Sequence, residues 1–260
     1  MTLHYVSSRE LARPKTYFLG VDLGQAQDFT ALTVLEREER DTGRRRDRPD
    51  LMNMSMTYYG GVPARKSIPI PTEAVTENLY AARHLERLPT GTPYPAQVKR
   101  IKELHDRLKA DTKKAPHLVV DQTGVGRPVV DMLRAAGLSP VSVTITGGDA
   151  VSRGSKDYRV PKRDLVSVVQ VLLQAERLKI ASSLKEAATL TAELLAFKVS
   201  ISLKGHDSYG NDVGPWRENP HDDLVLAVAL AAWYGEHYKP MVDDTPPSMS
   251  FRGVRYSGRR

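Results

Sequence analysis

The chain has 260 residues, a formal net charge of +7 and a sequence pI of about 9.5, which favours a polyanionic partner, because Lys and Arg gain affinity by displacing the counterions of phosphates. With 40% hydrophobic and 27% charged residues it is too apolar for wholesale disorder and ordinary for a globular protein. It contains no cysteine, which excludes disulfides, thiolate zinc sites and cysteine nucleophiles, so any metal must be held by carboxylates, histidines or waters.

Taken in chain order, a polar arm (1–16) precedes a long folded region (17–239) and a basic, proline-rich tail (240–260) for which mobility is expected. YFLGVDLG reads as a buried strand ending in Gly, and ALTVLERE as a second strand. The turn-rich DTGRRRDRPD leads to LMNMSMTYY (51–59), expected as a third strand, so that three antiparallel strands open the domain. LYAARHLERL fits either a strand or a short helix. YPAQVKRIKELHDRLK places Val98, Ile101, Leu104 and Leu108 at helical spacing. PHLVVDQ fits a buried strand, TGVGRPVVDMLRAAG a turn and helix, and VSVTIT another strand, together a parallel crossover. A basic loop follows, holding Arg153, Lys156, Arg159, Lys162 and Arg163. DLVSVVQVLLQAERL and LKEAATLTAELLAF read as helices, with VSIS after them as a last strand, and DDLVLAVALAAWYGEHY is the last helix. Its apolar run, Leu224 to Tyr234, is shorter than the roughly 18 to 20 residues a membrane span needs, and the N-terminus has no apolar signal core. A soluble, cytoplasmic chain with no membrane partner is expected.

Asp22 sits inside the apolar run FLGVDLG and Asp121 closes LVVDQTG. A carboxylate in such a strand is costly to bury unless it is paired, hydrogen-bonded or bound to a cation. Asp222 and Asp223 begin a very apolar helix, where capping and interaction with the helix dipole are the bland explanation. Gathered at one end of a sheet, these carboxylates would repel one another, and Mg²⁺ or Mn²⁺ would relieve that repulsion, since both favour oxygen ligands. Two such ions about 3.5 to 4 Å apart stabilise the attacking and leaving oxygens of phosphodiester cleavage.

The blocks YFLGVDLGQAQDFTALTVLE, HLERLPTGTPYP, HLVVDQTGVGRPVVDMLRAAG, VPKRDLVSVVQVLLQAERLKIA and WRENPHDDLVLAVALA resemble, in order, the nuclease domain of viral (tailed-phage) terminase large subunits. The resemblance implies an α/β fold of ribonuclease H-like type: a central mixed sheet with three antiparallel N-terminal strands followed by parallel strands, and helices on both faces. It implies a two-metal-ion endodeoxyribonuclease that cuts DNA during genome packaging. Asp22 would contact both ions, Asp121 would hold one, and Asp222 with Asp223 would complete the site, with His221 orienting a water or a neighbouring carboxylate. Double-stranded DNA is the implied substrate, with a small terminase subunit and a portal as partners. The family's packaging ATPase has no counterpart here: GGVPARKS (60–67) has Arg65 where a phosphate-binding loop needs its second Gly. The motor is therefore expected as a separate partner.

Three alternatives compete. A Holliday-junction resolvase-like nuclease shares the acidic cluster and is separated by branched-substrate preference. An actin-like ATPase loosely matches VDLGQAQDFTAL but needs a second comparable domain. A non-catalytic DNA-binding packaging protein would carry the acids as caps only, and an assay for metal-dependent cleavage decides between the two.

Overall fold

The structure, a computed structural model, describes residues 15–24, 28–47, 72–124, 126–203 and 222–238. Among the described residues its centre is one sheet of eight strands. The apolar segment β1 (Thr16–Asp22) pairs antiparallel with β2 (Thr30–Asp47), which pairs antiparallel with β3 (Thr72–Leu88). On the other side of β1 come β4 (His117–Asp121), β5 (Val141–Thr146) and β7 (Asp157–Pro161), each parallel to its neighbour. The two-residue β6 (Ser152–Arg153) and the three-residue β8 (Leu178–Ile180) close the two edges. This is the mixed sheet implied by the ribonuclease H-like resemblance.

Side chains alternate across the sheet with period two and build a separate core on each face. Leu19, Val21, Leu118 and Val120 pack beneath α1 (Tyr94–Thr112) and α2 (Gly126–Ala135), with Ile101, Leu104, Val129 and Leu133 as the helices' contribution. Phe18 and Val119 face the other way, toward α3 (Lys162–Gln174) and α5 (Asp223–His237). Helix α4 (Ala187–Leu203) adds Ala187 and Leu190 to that second core. Gly20 lets α5 lie almost on the sheet: a Cβ there would stand 2.1 Å from the carbonyl oxygen of Ala227. The same alternation points Asp22 and Asp121 to the α5 face.

The structure settles one open reading, LYAARHLERL, and departs from the sequence reading at VSIS and in the basic loop. LYAARHLERL is strand, although its Leu, Ala and Arg content favours helix, because pairing with β2 outweighs local propensity. The expected third strand at 51–59 lies outside the described residues, as do most of the arm and the whole tail; the third antiparallel strand of the structure is β3. VSIS (199–202) continues α4 and is not a strand: a four-residue alternation does not stop a helix that gains one hydrogen bond for each residue it adds. The basic loop, finally, is largely ordered as the β6–β7 hairpin running into α3.

Within β3 the pairing slips. Val34 faces His84 while Leu35 faces Ala82, so Arg83 is an extra residue, a β-bulge. Tyr80 and Ala82 point into the α5-side core before it, Leu85 after it. The bulge reverses the parity of everything downstream and turns Arg87 toward α5.

Candidate functional site

Val21 pairs with Val120, so Asp22 and Asp121 follow as neighbours on adjacent parallel strands, about 4.8 Å apart at the backbone. Each is the last residue of its strand. Beyond Asp121 the chain turns sharply, and its carboxylate fixes the turn: the Thr123 N–H donates to Asp121 Oδ1 at 2.7 Å. The Thr123 hydroxyl in turn accepts from the Ile145 N–H at 2.7 Å, tying the turn to β5.

Helix α5 delivers the other two acids. Asp222 occupies the N-cap position without making a side-chain capping bond. The capping is done from elsewhere: Glu193 Oε2 on α4 accepts the Leu224 and Val225 N–H groups at 3.0 and 3.2 Å. The bland explanation for the Asp pair is thereby replaced, since a third carboxylate satisfies the helix start and leaves theirs for other partners. Asp222 Oδ2 meets Lys162 Nζ at 2.8 Å, and Asp223 Oδ2 meets Arg87 Nη2 at 3.2 Å. Arg87 also approaches Glu193 at 3.7 Å and lies over the Phe29 ring at 3.8 Å, a stacked guanidinium that holds its plane.

The four aspartates share one field. Burial, then the charges of Asp121, Asp223 and Asp222, push the Asp22 carboxyl well above its ordinary range, against the pull of Lys162. Burial also lifts Asp121 to about 6, opposed by the hydrogen bonds from Thr123 and by Lys162. Glu193 rises to about 7, chiefly through burial. Each shift means that the ionised form has lost water without full compensation, which is the condition in which an added cation is most welcome.

Asp22, Asp121, Asp222 and Asp223 are therefore brought together at the C-terminal ends of β1 and β4, and Lys162 joins them. The other basic positions separate. Arg163 pairs with Asp149 at 2.7 Å, Arg159 is exposed in β7, and Arg153 and Lys156 lie toward the opposite end of the sheet. His221 lies outside the described residues. Sequence reasoning missed Arg87 and Glu193: the bulge hid the face of the first, and the second was one more polar residue in a helical pattern. The usable signal for Glu193 is that a Glu on an otherwise apolar helix face must find donors.

Among the described residues, no group of three or more acidic or histidine side chains is drawn tightly enough to hold a metal ion. In this arrangement Lys162 and Arg87 are the cations that neutralise the pair on α5. The donor chemistry nevertheless fits a hard divalent ion, being all carboxylate, partly desolvated and free of sulfur.

No protein-family model matches the chain, and no curated protein matches its sequence. Two solved structures of the large terminase nuclease from the thermophilic phage G20c are similar. One shares 19% identity over 84% of this chain and 81% of that one, with a TM-score of 0.42. The other, with bound magnesium, shares 20% identity over 84% of this chain and 80% of that one, with a TM-score of 0.46. No helix among the described residues is long and apolar enough to cross a membrane.

Proposed function

We propose that the chain is a divalent-metal-dependent endonuclease that hydrolyses DNA phosphodiester bonds, serving as the terminase nuclease of viral genome packaging. The observation that carries this reading is the meeting of four carboxylates from three apolar elements at one end of the sheet, with Asp22 and Asp121 both pushed up by burial. Asp22, Asp121, Asp222 and Asp223 are the residues that would hold Mg²⁺ or Mn²⁺, two ions in this reading. When bound, such ions polarise the phosphate and make water acidic enough to supply hydroxide near neutral pH.

The rest falls to the chain itself. Thr123 fixes the orientation of Asp121, and Arg87 with Glu193 fixes where Asp223 stands. Lys162 neutralises Asp222 and is placed to turn to a substrate phosphate when another cation replaces it. Double-stranded DNA is the substrate, with Lys162, Arg163, Arg159, Arg153 and Lys156 as phosphate contacts that give affinity without sequence preference. A packaging ATPase, a small terminase subunit and a portal are the proposed partners.

The test is supercoiled plasmid incubated with Mg²⁺ or Mn²⁺, and with chelator. Nicked and linear products are expected only with metal, and Asp121→Asn should lower the rate by orders of magnitude while DNA binding survives. A wild-type protein that cuts no DNA with either ion would falsify the proposal.

A further inference from the structure

At the opposite end of the sheet from the four aspartates lies a cavity of about 420 Å³, a size in the range of small-ligand sites. It opens between the starts of β4 and β5, the end of α5 and the β6–β7 hairpin. Four residue steps along β4 separate His117 at its mouth from Asp121, a span of about 13 Å. It is therefore a separate place on the molecule.

Its lining combines aromatic rings with positive charge. Around it stand the rings of His117, Tyr158 and Tyr234, with Tyr234 centroids 5.9 Å from His117 and 6.1 Å from Tyr158. Among the described residues that line it, Arg153 and Lys156 carry the charge on the rim and none is a carboxylate. Several cations among the described residues are matched: Arg40 with Glu77, Arg100 with Glu86, Arg177 with Glu236. Arg153 and Lys156 make no ion pair among the described residues. Arg153 lies 5.5 Å from the Tyr158 ring centroid, and Lys156 Nζ donates to Ser139 Oγ at 2.6 Å. Two exposed cations on fixed supports, next to half-buried aromatic faces, meet both requirements of a nucleotide: phosphate charge and a planar base.

We propose that this cavity binds one nucleotide unit, with its phosphate on Arg153 and Lys156 and its base against Tyr158 and Tyr234. The assignment goes beyond the phosphate contacts proposed above, because duplex phosphates alone would need no aromatic pocket. It does not depend on the cleavage reading. The nucleotide comes either from an unpaired stretch of DNA or from a free mononucleotide, and the two sources share the same chemistry.

The experiment is an equilibrium titration of the whole protein, without divalent metal, with dTMP, with inorganic phosphate and with a twelve-residue oligo-dT, each repeated on the double variant Arg153→Ala/Lys156→Ala and on Asp121→Asn. The double variant should weaken dTMP or oligo-dT binding at least ~10-fold, since two phosphate contacts and their counterion release are lost. Both side chains are exposed, so the fold should survive, as the far-ultraviolet circular dichroism will report. Asp121→Asn should bind as the wild type does, which keeps this result separate from any outcome of the cleavage assay. Binding of oligo-dT alone identifies a DNA strand as the source; binding of dTMP identifies a free nucleotide. Inorganic phosphate binding as tightly as dTMP would show that the rings contribute nothing and would overturn the assignment. So would wild type that binds neither probe, or binding that the double variant leaves unchanged.

Discussion

Arg87 Nη2 reaches from the end of β3 to Asp223 Oδ2 at 3.2 Å, and its other terminal nitrogen lies 3.7 Å from Glu193, the residue that caps the helix Asp223 begins. One guanidinium thus joins a strand, a helix start and a second helix. Both partners of the Arg87–Asp223 pair are largely buried, and removing one side of a buried pair strands the other. Arg87→Met should lower stability by about 3 kcal/mol, measured by urea unfolding. Metal-dependent cleavage should fall further than stability accounts for, because Asp223 loses its position. Full cleavage in a folded Arg87→Met protein would show that the clamp is idle.

Asp121 sets a pH dependence on the metal-free protein. Its folded-state value, raised to about 6 mainly by burial, exceeds the unfolded one, so the folded state holds its proton more tightly. Stability is then highest below about 4 and declines as pH rises through about 6, by on the order of 3 kcal/mol. Asp121→Asn should make that limb of a stability–pH curve recorded in chelator shallower, Asp22 and Glu193, also raised, supplying the rest. Saturating Mn²⁺ should flatten it in the wild type. A curve unchanged by the substitution would mean that Asp121 is not desolvated as described.

Glu36 works in the opposite sense. Burial alone would raise it, but hydrogen bonds from Arg83, Lys15 and Tyr17 outweigh that effect and hold it at about 2. Its folded value lies below the unfolded one, so its contribution is complete above about 4.5 and is lost as pH falls toward 2. Glu36→Gln should therefore cost stability at pH 7 and narrow the gap to wild type near pH 2, as read from thermal unfolding across that range. A gap of constant size would place the loss in packing rather than charge.

Gly20 tests the seat of α5. The Cβ of Gly20→Ala would stand 2.1 Å from the Ala227 carbonyl oxygen, and backbone cannot yield as a flexible side chain does. A loss of about 2 kcal/mol or more is expected, together with reduced cleavage, since α5 carries Asp222 and Asp223. Wild-type stability in Gly20→Ala would mean that α5 rides higher on the sheet than described.

Much of this was legible in the sequence because the central strands are short, apolar and end on the residue that matters. FLGVD and HLVVD both announce a buried strand with a carboxylate at its end, and DDLVLAVALAAW announces a buried helix with acids at its start. What stayed hidden depends on partners distant in sequence. Whether Arg87 faces the site depends on one extra residue at Arg83, and nothing in LYAARHLERL marks the bulge. Glu193 caps a helix that begins 30 residues after it in the chain, and no local pattern encodes that contact. VSIS was misread because four residues carry too little periodicity to separate strand from helix.

Strand β2 runs well past the strand that anchors it. Its residues 31–37 lie between β1 and β3, whereas 38–47 have only β3 beside them, so about 30 Å of two-stranded ribbon extends away from the aspartates. Its rungs are tied by exposed ion pairs, Arg40 with Glu77 and Arg46 with Glu73, which add little in water. The amides of this one strand must then exchange with solvent in two regimes: those near Ala31 only when the whole domain opens, those near Arg45 whenever the ribbon parts locally. Deuterium uptake along β2 should rise stepwise past Arg37, a kinetic boundary drawn within a single strand.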